Sequence, residues 1–595
     1  MEGTIQIFMG KALYYGAVLA AAGIVGGCYI QRIYGTENRT VKRLLWLLFV
    51  LPFLAGGYNI EFAPLVFLYL LWQLIEIGKQ RGLRLYLCDG ALAVLAVVAA
   101  YGITAIWAAD RGMAGFGFVK FLPLLCYMLL LMQLEQKALP GIYRMTPLCG
   151  ALMVLVSVPL QFVPALSDVL APEGRLAGFM EYPNTFALFL LIGLILQTTK
   201  KVRDKRDILL DALLMAGIFA SGSRTSFLLL IFILIAAACL RRERRFAMEE
   251  AGILAAGLLL SAAASQLGLC SAAGRYLTTS TGDSTLLSRL LYFKDALPVI
   301  AMHPFGLGYL GYSAVQGSIQ HGVYTVSLVH NELLQLLLDI GWVPVALLCA
   351  ALVQAFFAKT AGAQKRLLLL VILGHCMMDF DLQFLSIWFL LLPLLEGHRG
   401  KPVTLRKGGV PAGAAGAALA ALCLWMSAGE VLYQSGACNA CLAVTPFHTK
   451  AMEQRLTELS DPEALEELSN QILEKNPYSS LAYSAKANAA LARGDVAAMA
   501  EAKEAAIVRN PYGLEEYTDY FDKLYAAMQM FSAQGDAQSA QSCRNKLLAI
   551  PNMLAHVEEN TDPLAWRLQH KPELTLPTPY EELLAALGET GEKGD

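Results

Sequence analysis

Long apolar runs alternate with short polar segments over most of this chain. Fourteen runs between residues 11 and 428 approach or exceed the length that a helix needs to cross a bilayer, about 20 residues. Several of them are short, and two are separated only by residues 221–224. The pattern therefore predicts an all-α polytopic membrane protein with 12 to 14 transmembrane helices, formed by residues 1–430.

Polar and turn-forming residues interrupt this pattern most strongly over residues 292–342. We expect a large external loop, about residues 269–332, followed by a helix that re-enters the bilayer. Glu332, Gln335 and Asp339 follow one another at steps of three and four, which places them on one face of that helix. A polar stripe on a membrane helix is expected to face protein or water and not lipid.

The composition supports a membrane protein, since 56% of the residues are apolar and 16% are charged. Lys and Arg are concentrated in alternate loops, and the positive-inside rule makes those loops cytoplasmic. The opposite loops, both chain termini and the segment after residue 430 are then outside. We therefore expect a multi-pass protein of the cytoplasmic (inner) membrane with an extracytoplasmic C-terminal domain.

That domain, residues 431–595, has a different sequence character. From about residue 443 the apolar runs stop and charged helical sequence begins, and Asn-Pro-Tyr recurs at 476–478 and 510–512, a period of 34 residues. This period is typical of a tetratricopeptide (TPR) repeat, which pairs two antiparallel helices. An unrelated helical hairpin domain is the alternative. In either case the sequence predicts an external interaction domain without a catalytic cluster.

Three arginines lie on the outer side, where the positive-inside rule disfavours them: Arg175, Arg224 and Arg289. Guanidinium groups bind phosphate oxygens in a bidentate manner, so the three are candidates to hold a diphosphate headgroup. The alternative is that each arginine pairs with a nearby carboxylate or anchors its loop to anionic lipid. Glu173 and Glu181 are such partners for Arg175.

His330 lies at the predicted start of the re-entering helix. The unpaired N–H groups and partial positive charge of a helix N-terminus favour a neutral imidazole. A neutral histidine is suited to accept a proton from a hydroxyl group. The alternative is an ordinary polar cap at the membrane interface.

Five motifs in this order resemble the O-antigen ligase and polymerase family over roughly residues 40–400. They are R-x-x-G-F-x-x-x-P-N at 175–184, S-x-S-R at 221–224, R-x-x-x-x-x-x-A-L at 289–297, H-P-x-G-x-G at 303–308, and H-N-x-x-L at 330–334 with a following acidic residue and glycine. The resemblance implies an all-helical fold of the membrane glycosyltransferase C type (GT-C). It also implies inverting transfer of a polyprenyl-diphosphate-linked glycan to an acceptor hydroxyl, without a metal ion or other cofactor.

Carried over by position, the resemblance makes His330 the catalytic base on the acceptor hydroxyl. Arg175, Arg224 and Arg289 correspond to arginines that hold the donor diphosphate. Asn184, Asn331 and Glu332 are then supporting residues. The chain departs from the family pattern in an extra apolar run at the N-terminus and in the final span that leads to the C-terminal domain.

The sequence thus favours an enzyme that ligates or polymerises lipid-linked glycan for a cell-surface polysaccharide. Its expected partners are the glycan donor, a glycan, lipid or protein acceptor, the bilayer, and proteins bound by the C-terminal domain, but no nucleic acid. A transporter or flippase for the same lipid is the alternative, although that class is expected to carry ionisable residues near the bilayer midplane and matching halves. A scaffold anchored by its membrane part is the third hypothesis.

Overall fold

The computed structural model describes residues 2–34, 38–267, 284–395, 397–405, 410–568 and 574–592. The described chain is helical almost throughout, so the predicted all-α class is confirmed apart from one short two-stranded ribbon. The predicted external loop falls partly on residues 268–283, which lie outside the described residues.

Nineteen α-helices lie between residues 2 and 434 in the described chain. They are α1 Glu2–Ile33, α2 Arg39–Val50, α3 Ala63–Arg81, α4 Asp89–Thr104, α5 Arg111–Phe121, α6 Pro123–Leu131, α7 Thr146–Leu160, α8 Pro164–Leu170, α9 Pro183–Thr198, α10 Lys205–Ser221, α11 Arg224–Arg241, α12 Arg244–Gln266, α13 Ser284–Met302, α14 Gly311–Ile319, α15 Glu332–Ile340, α16 Trp342–Phe357, α17 Ala363–Cys376, α18 Leu385–Leu391 and α19 Val410–Gln434.

Short 3-10 helices connect several of these elements. They are Leu51–Phe53, Ala55–Gly57, Ile60–Phe62, Gln136–Met145, Pro172–Gly174, Gly178–Met180, Asp381–Gln383 and Leu392–Leu394. The two strands, β1 Leu83–Leu85 and β2 Val403–Leu405, pair antiparallel with Arg84 opposite Thr404. Both strands lie in loops that the charge pattern assigns to the same side of the membrane.

Nine further helices follow, and consecutive long helices pack against each other. They are α20 Cys438–Val444, α21 Thr449–Leu456, α22 Pro462–Lys475, α23 Ser480–Ala492, α24 Val496–Arg509, α25 Leu514–Gln534, α26 Ala537–Asn560, α27 Pro563–Arg567 and α28 Thr578–Glu592. Apolar side chains on α23 to α26 form a separate core that includes Tyr517, Phe521 and Leu547.

Seven helical stretches in the described chain are long and apolar enough to cross a membrane. They are Gly10–Ile33, Ile60–Arg81, Arg111–Leu131, Gln136–Leu160, Arg224–Arg241, Arg244–Gln266 and Gly413–Gln434. Four shorter apolar helices accompany them: Asp89–Thr104, Pro183–Thr198, Trp342–Phe357 and Leu385–Leu394. The chain is a multi-pass membrane protein.

One predicted span is broken in the structure at Gly341, which separates α15 from α16. Gly341 has a φ of 77°, and a Cβ built on it would lie 2.5 Å from the carbonyl oxygen of Pro304. Only glycine tolerates both this backbone conformation and this close approach. The break turns the apolar run into two helices and brings the Pro304 loop against their junction.

The polar stripe on α15 is buried inside the protein, as expected. Glu332 is 1% exposed, and Gln335 and Asp339 are fully buried. The Gln335 amide donates to Asp339 Oδ1 at 2.8 Å, and the hydroxyl of Tyr101 donates to Asp339 Oδ2 at 3.0 Å. These hydrogen bonds satisfy polar groups that would be costly in contact with lipid.

Candidate active site

A buried carboxylate, Asp379, receives hydrogen bonds from two separate parts of the chain. Arg289 Nη2 donates to its Oδ2 at 3.1 Å, and Asn184 Nδ2 donates to the same oxygen at 2.6 Å. The Tyr182 hydroxyl donates to Oδ1 at 2.7 Å. His330 Nδ1 lies 3.4 Å from Oδ1. Asp379 therefore brings together two segments that the sequence motifs place more than 100 residues apart.

The position of Asp379 follows from the end of α17 at Cys376. The chain leaves the helix there, and the backbone N–H of Phe380 donates to Asp379 Oδ1 at 3.1 Å, which fixes the carboxylate in the turn. The Phe380 ring stacks on Tyr182 with centroids 4.6 Å apart and meets the His330 ring edge-on at 5.0 Å. Aromatic packing and the carboxylate thus hold His330 and Tyr182 at the same turn.

Electrostatics favour an ionised Asp379. Burial alone would raise the pKa of this carboxyl, since its side chain is only 2% exposed. The Arg289 guanidinium and the His330 ring outweigh that effect and hold the pKa of Asp379 below its ordinary value. Because it is ionised and surrounded by hydrogen-bond donors, the Asp379 carboxylate keeps a fixed position and a negative charge in the site.

Arg175 reaches this group through Asn184. Its Nη2 donates to Asn184 Oδ1 at 2.6 Å, and its Nε donates to the carbonyl oxygen of Ser221 at 2.9 Å. Asn184 lies at the start of α9, whose first residue is Pro183. The first two sequence motifs, 175–184 and 221–224, are therefore in direct contact, and the supporting residue Asn184 connects Arg175 to Asp379.

Arg224 is the first residue of α11, which Ser223 caps by accepting a hydrogen bond from the N–H of Ser226. The Ser226 hydroxyl lies 2.9 Å from His375 Nε2, and His375 Nδ1 lies 2.6 Å from Asp381 Oδ2. These buried contacts tie the arginine-bearing end of α11 to the turn that carries Asp379.

His330 adopts a left-handed backbone conformation with a φ of 56°, which is uncommon for a residue with a side chain. Its side chain is 22% exposed, so one part of the ring faces outward while Nδ1 faces Asp379. At 3.4 Å this Nδ1 is within ion-pair range of the carboxylate but makes no hydrogen bond. Strained backbone at a polar cluster is a common feature of functional sites.

The helix after His330 begins two residues later than expected. Asn331 is the N-cap, and its Oδ1 accepts from the N–H of Leu334 at 3.1 Å, so α15 starts at Glu332. The prediction that His330 itself starts the helix is wrong, because the Asn331 side chain takes the capping position. The helix N-terminus nevertheless lies next to the histidine.

Asn331 and Glu332 connect this helix end to the Asp379 turn. Asn331 Nδ2 donates to the carbonyl oxygen of Met377 at 2.9 Å. Glu332 Oε2 accepts from the N–H of Leu382 at 3.0 Å, and its Oε1 accepts from the Gln383 amide at 3.2 Å. These hydrogen bonds keep His330 next to the turn that carries Asp379.

The structure thus gathers most of the residues singled out in the sequence around one turn, residues 377–383, and adds Asp379, Asp381 and His375. Sequence reasoning missed these three because they lie at the end of an apolar run. Two carboxylates so close to a predicted span are a signal in themselves, since ionisable residues within membrane segments are rare and functional. In the described part of the chain, no three His, Cys, Asp or Glu side chains are grouped so as to hold a metal ion.

Residues 209–349 match the family model described as O-antigen ligase. The chain carries an O-antigen ligase family domain. The resemblance read from the motifs is confirmed over this segment, which includes Arg224, Arg289 and His330. Arg175, Asn184 and Asp379 lie outside the matched O-antigen ligase segment, but Arg175 contacts Ser221 and Asp379 contacts Arg289 within it. No curated protein and no solved structure matches the chain.

Proposed function

We propose that this protein is a membrane glycosyltransferase that ligates or polymerises a polyprenyl-diphosphate-linked glycan. The acceptor is a hydroxyl group on a glycan, lipid or protein at the outer face of the cytoplasmic membrane. The observation that carries the proposal is the convergence of Arg289, His330 and Asn184 on Asp379, together with the O-antigen ligase family match.

His330 is the proposed general base. With Nδ1 directed at the Asp379 carboxylate, the proton of a neutral ring belongs on Nδ1, which leaves Nε2 to accept a proton. The acceptor oxygen then attacks the anomeric carbon while its proton passes to Nε2. The bond between that carbon and the diphosphate oxygen breaks, and attack from the opposite face inverts the configuration. Asp379 is a positioning residue in this scheme because it acts through the imidazole.

Arg289, Arg175 and Arg224 are the proposed diphosphate ligands. The Arg289 guanidinium carries five N–H donors, and its pairing with Asp379 through Nη2 leaves others for a phosphate oxygen. Pairing with a carboxylate, the alternative raised from the sequence, is observed for Arg289 and is compatible with diphosphate binding. Positive groups fixed before the reaction stabilise the charge that develops on the leaving diphosphate. Asn184, Asn331 and Glu332 support this geometry by hydrogen bonding.

The proposal includes a domain organisation and a membrane location for the chain. Residues 1–430 form a GT-C-type domain of the inner membrane, and residues 431–595 form an extracytoplasmic TPR-like domain. The chemistry as drawn requires no metal and no other cofactor, because the leaving group is a diphosphate and the base is a side chain. Packing of consecutive helices against each other in the C-terminal domain supports the TPR assignment.

The test uses the purified protein in detergent and in liposomes with a polyprenyl-diphosphate oligosaccharide donor. Gel analysis of the products is expected to show either longer glycans, for a polymerase, or a labelled acceptor, for a ligase. Arg289→Ala is expected to lower donor turnover strongly, whereas Arg399→Ala, in a loop on the predicted cytoplasmic side, serves as a control. Donor that crosses the liposome membrane without being consumed would contradict the proposal and favour the transporter alternative.

A further inference from the structure

A polar cavity of about 390 Å³ lies between the membrane domain and the C-terminal domain. The membrane domain contributes Gln316 and Gln320 at α14, and the C-terminal domain contributes Asn476 and Asn510. Ligand sites commonly occur at domain interfaces and have volumes of roughly 300–1,000 Å³. Most such sites are lined by apolar side chains, whereas side-chain amides are prominent here. Amides both donate and accept hydrogen bonds, which matches the hydroxyl groups of a carbohydrate.

Lys450 gives this cavity an ammonium group, which lies near the carboxyl groups of Asp110 and Glu453 in the same cavity wall. It is half-buried at the start of α21, lines the cavity, and makes no hydrogen bond or ion pair within the described chain. Arg509 lines the cavity as well, although its Nε donates to the carbonyl oxygen of Pro477 at 2.7 Å. An ammonium group whose N–H donors make no direct hydrogen bond is able to donate them to the oxygens of a ligand in the cavity.

Thr325 lines this cavity and faces the part of the molecule that holds the candidate active site. This residue also lines a second cavity of about 180 Å³, together with Tyr292 and Tyr324, whose rings lie 4.5 Å apart. Tyr292 follows Arg289 by one helical turn on α13, and its ring centroid is 6.2 Å from that of His330. The second cavity is therefore adjacent to the candidate active site and shares one wall residue with the larger cavity.

The C-terminal segment closes the second cavity. Ala565 and Leu568 line it and pack against Leu287 and Leu291 of α13. Lys294 on the same helix forms an ion pair with Asp562, whose N–H donates to the carbonyl oxygen of His321 at 2.8 Å. The wall of the cavity beside the reaction centre is thus built from residues that are separated by more than 200 positions.

We propose that these two cavities form a continuous binding track for the glycan chain, which runs from His330 to the amide-lined cavity at Lys450. The inference rests on the proposed glycosyltransferase function and adds the place where several sugar units are held away from the bilayer. Tyrosine rings near the reaction centre contact sugar faces, and amides and Lys450 bind hydroxyl or acidic oxygens further out. The C-terminal domain is then part of the substrate-binding surface.

The test measures binding of free oligosaccharides to the full-length protein in detergent by calorimetry. The probe is the surface polysaccharide of the cell that makes this protein, cut to fragments of two to six repeating units and free of lipid and diphosphate. Ser480→Trp fills the larger cavity from the wall that the C-terminal domain contributes, and Lys450→Ala removes the ammonium group. Gln538→Trp, at an exposed position of the same domain, is the matched control for the added bulk.

We expect the parent and Gln538→Trp to bind the fragments with equal affinity, and Ser480→Trp and Lys450→Ala to bind at least tenfold more weakly. Thermal unfolding of each variant shows whether the fold is kept. Transfer activity is measured separately with the lipid-linked donor, so that failure of the binding track is distinguished from failure of the proposed reaction. Parent protein that binds no fragment, or a folded Ser480→Trp variant that binds like the parent, would overturn the track even if transfer activity is present.

Discussion

The Arg289 guanidinium lies 3.1 Å from the carboxylate of Asp379, 90 residues further along the chain. Both side chains are buried, at 12% and 2% exposure. The pair joins α13 to the turn after α17. It therefore holds the proposed diphosphate ligand and the proposed base in one arrangement.

Asp379→Asn is expected to disrupt this arrangement although the two side chains have nearly the same shape. An asparagine amide would point a donor at groups that are themselves donors, and Arg289 would lose its buried counter-charge. We expect a loss of roughly 3 kcal/mol in the free energy of unfolding and of about 10²-fold in donor turnover. Thermal unfolding and product analysis measure the two effects. Glu135→Gln, at an exposed site, is the control and should change neither.

The ionisation of Asp379 is expected to make the stability of the protein depend on pH. Its pKa is lower in the folded protein than in an unfolded chain, where it is about 3.9, so ionisation contributes stability that is fully present above that value. This contribution is lost as pH falls through the lower folded pKa. The difference in melting temperature between the parent and Asp379→Asn should be constant from pH 5 to 7 and shrink below about pH 4. A difference that does not change with pH would contradict the ion pair.

The prediction of the fold from sequence succeeds where periodicity is strong. Apolar runs indicate a multi-pass all-α protein, and the polar face of Glu332, Gln335 and Asp339 is buried as expected. The break at Gly341 is not visible in hydropathy, because its cause is a backbone contact with Pro304 from a distant loop. The ribbon between β1 and β2 depends likewise on a pairing of distant segments.

The candidate site is predicted in part. The motifs identify Arg175, Arg289 and His330 by residue type and order. They do not identify Asp379, because its importance arises from three donors that only the tertiary fold brings to it. The same reason explains why the cavities at the C-terminal domain are invisible in the sequence.

Gly341→Ala is expected to destabilise the protein through the backbone. A Cβ would lie 2.5 Å from the Pro304 carbonyl oxygen at a residue whose φ is 77°. The expected cost is roughly 1–3 kcal/mol, measured by thermal unfolding. Gly362→Ala is the matched control, since its Cβ would meet no atom within 4 Å and its φ is −72°. Equal melting temperatures for the two variants would contradict the strain at Gly341.

Gly317→Ala tests whether the C-terminal domain is closely docked on the membrane domain. A Cβ on this α14 residue would lie 2.1 Å from the carbonyl oxygen of Arg509 in α24, so the domains would have to separate slightly. We expect faster hydrogen exchange in α24 and in α14, without loss of either domain's own fold. Gly252→Ala, in a helix where the added Cβ meets nothing within 4 Å, should leave this exchange unchanged.

The most direct test of the proposed function is the single-turnover rate at which polyprenyl diphosphate is released from the donor in the presence of acceptor. A positioned general base contributes roughly 10²–10⁴-fold to such a step. His330→Ala, shown to be folded by thermal unfolding, is therefore expected to release it at least 10²-fold more slowly than the parent. A folded His330→Ala protein that releases polyprenyl diphosphate at the parent rate would contradict the role assigned to this histidine.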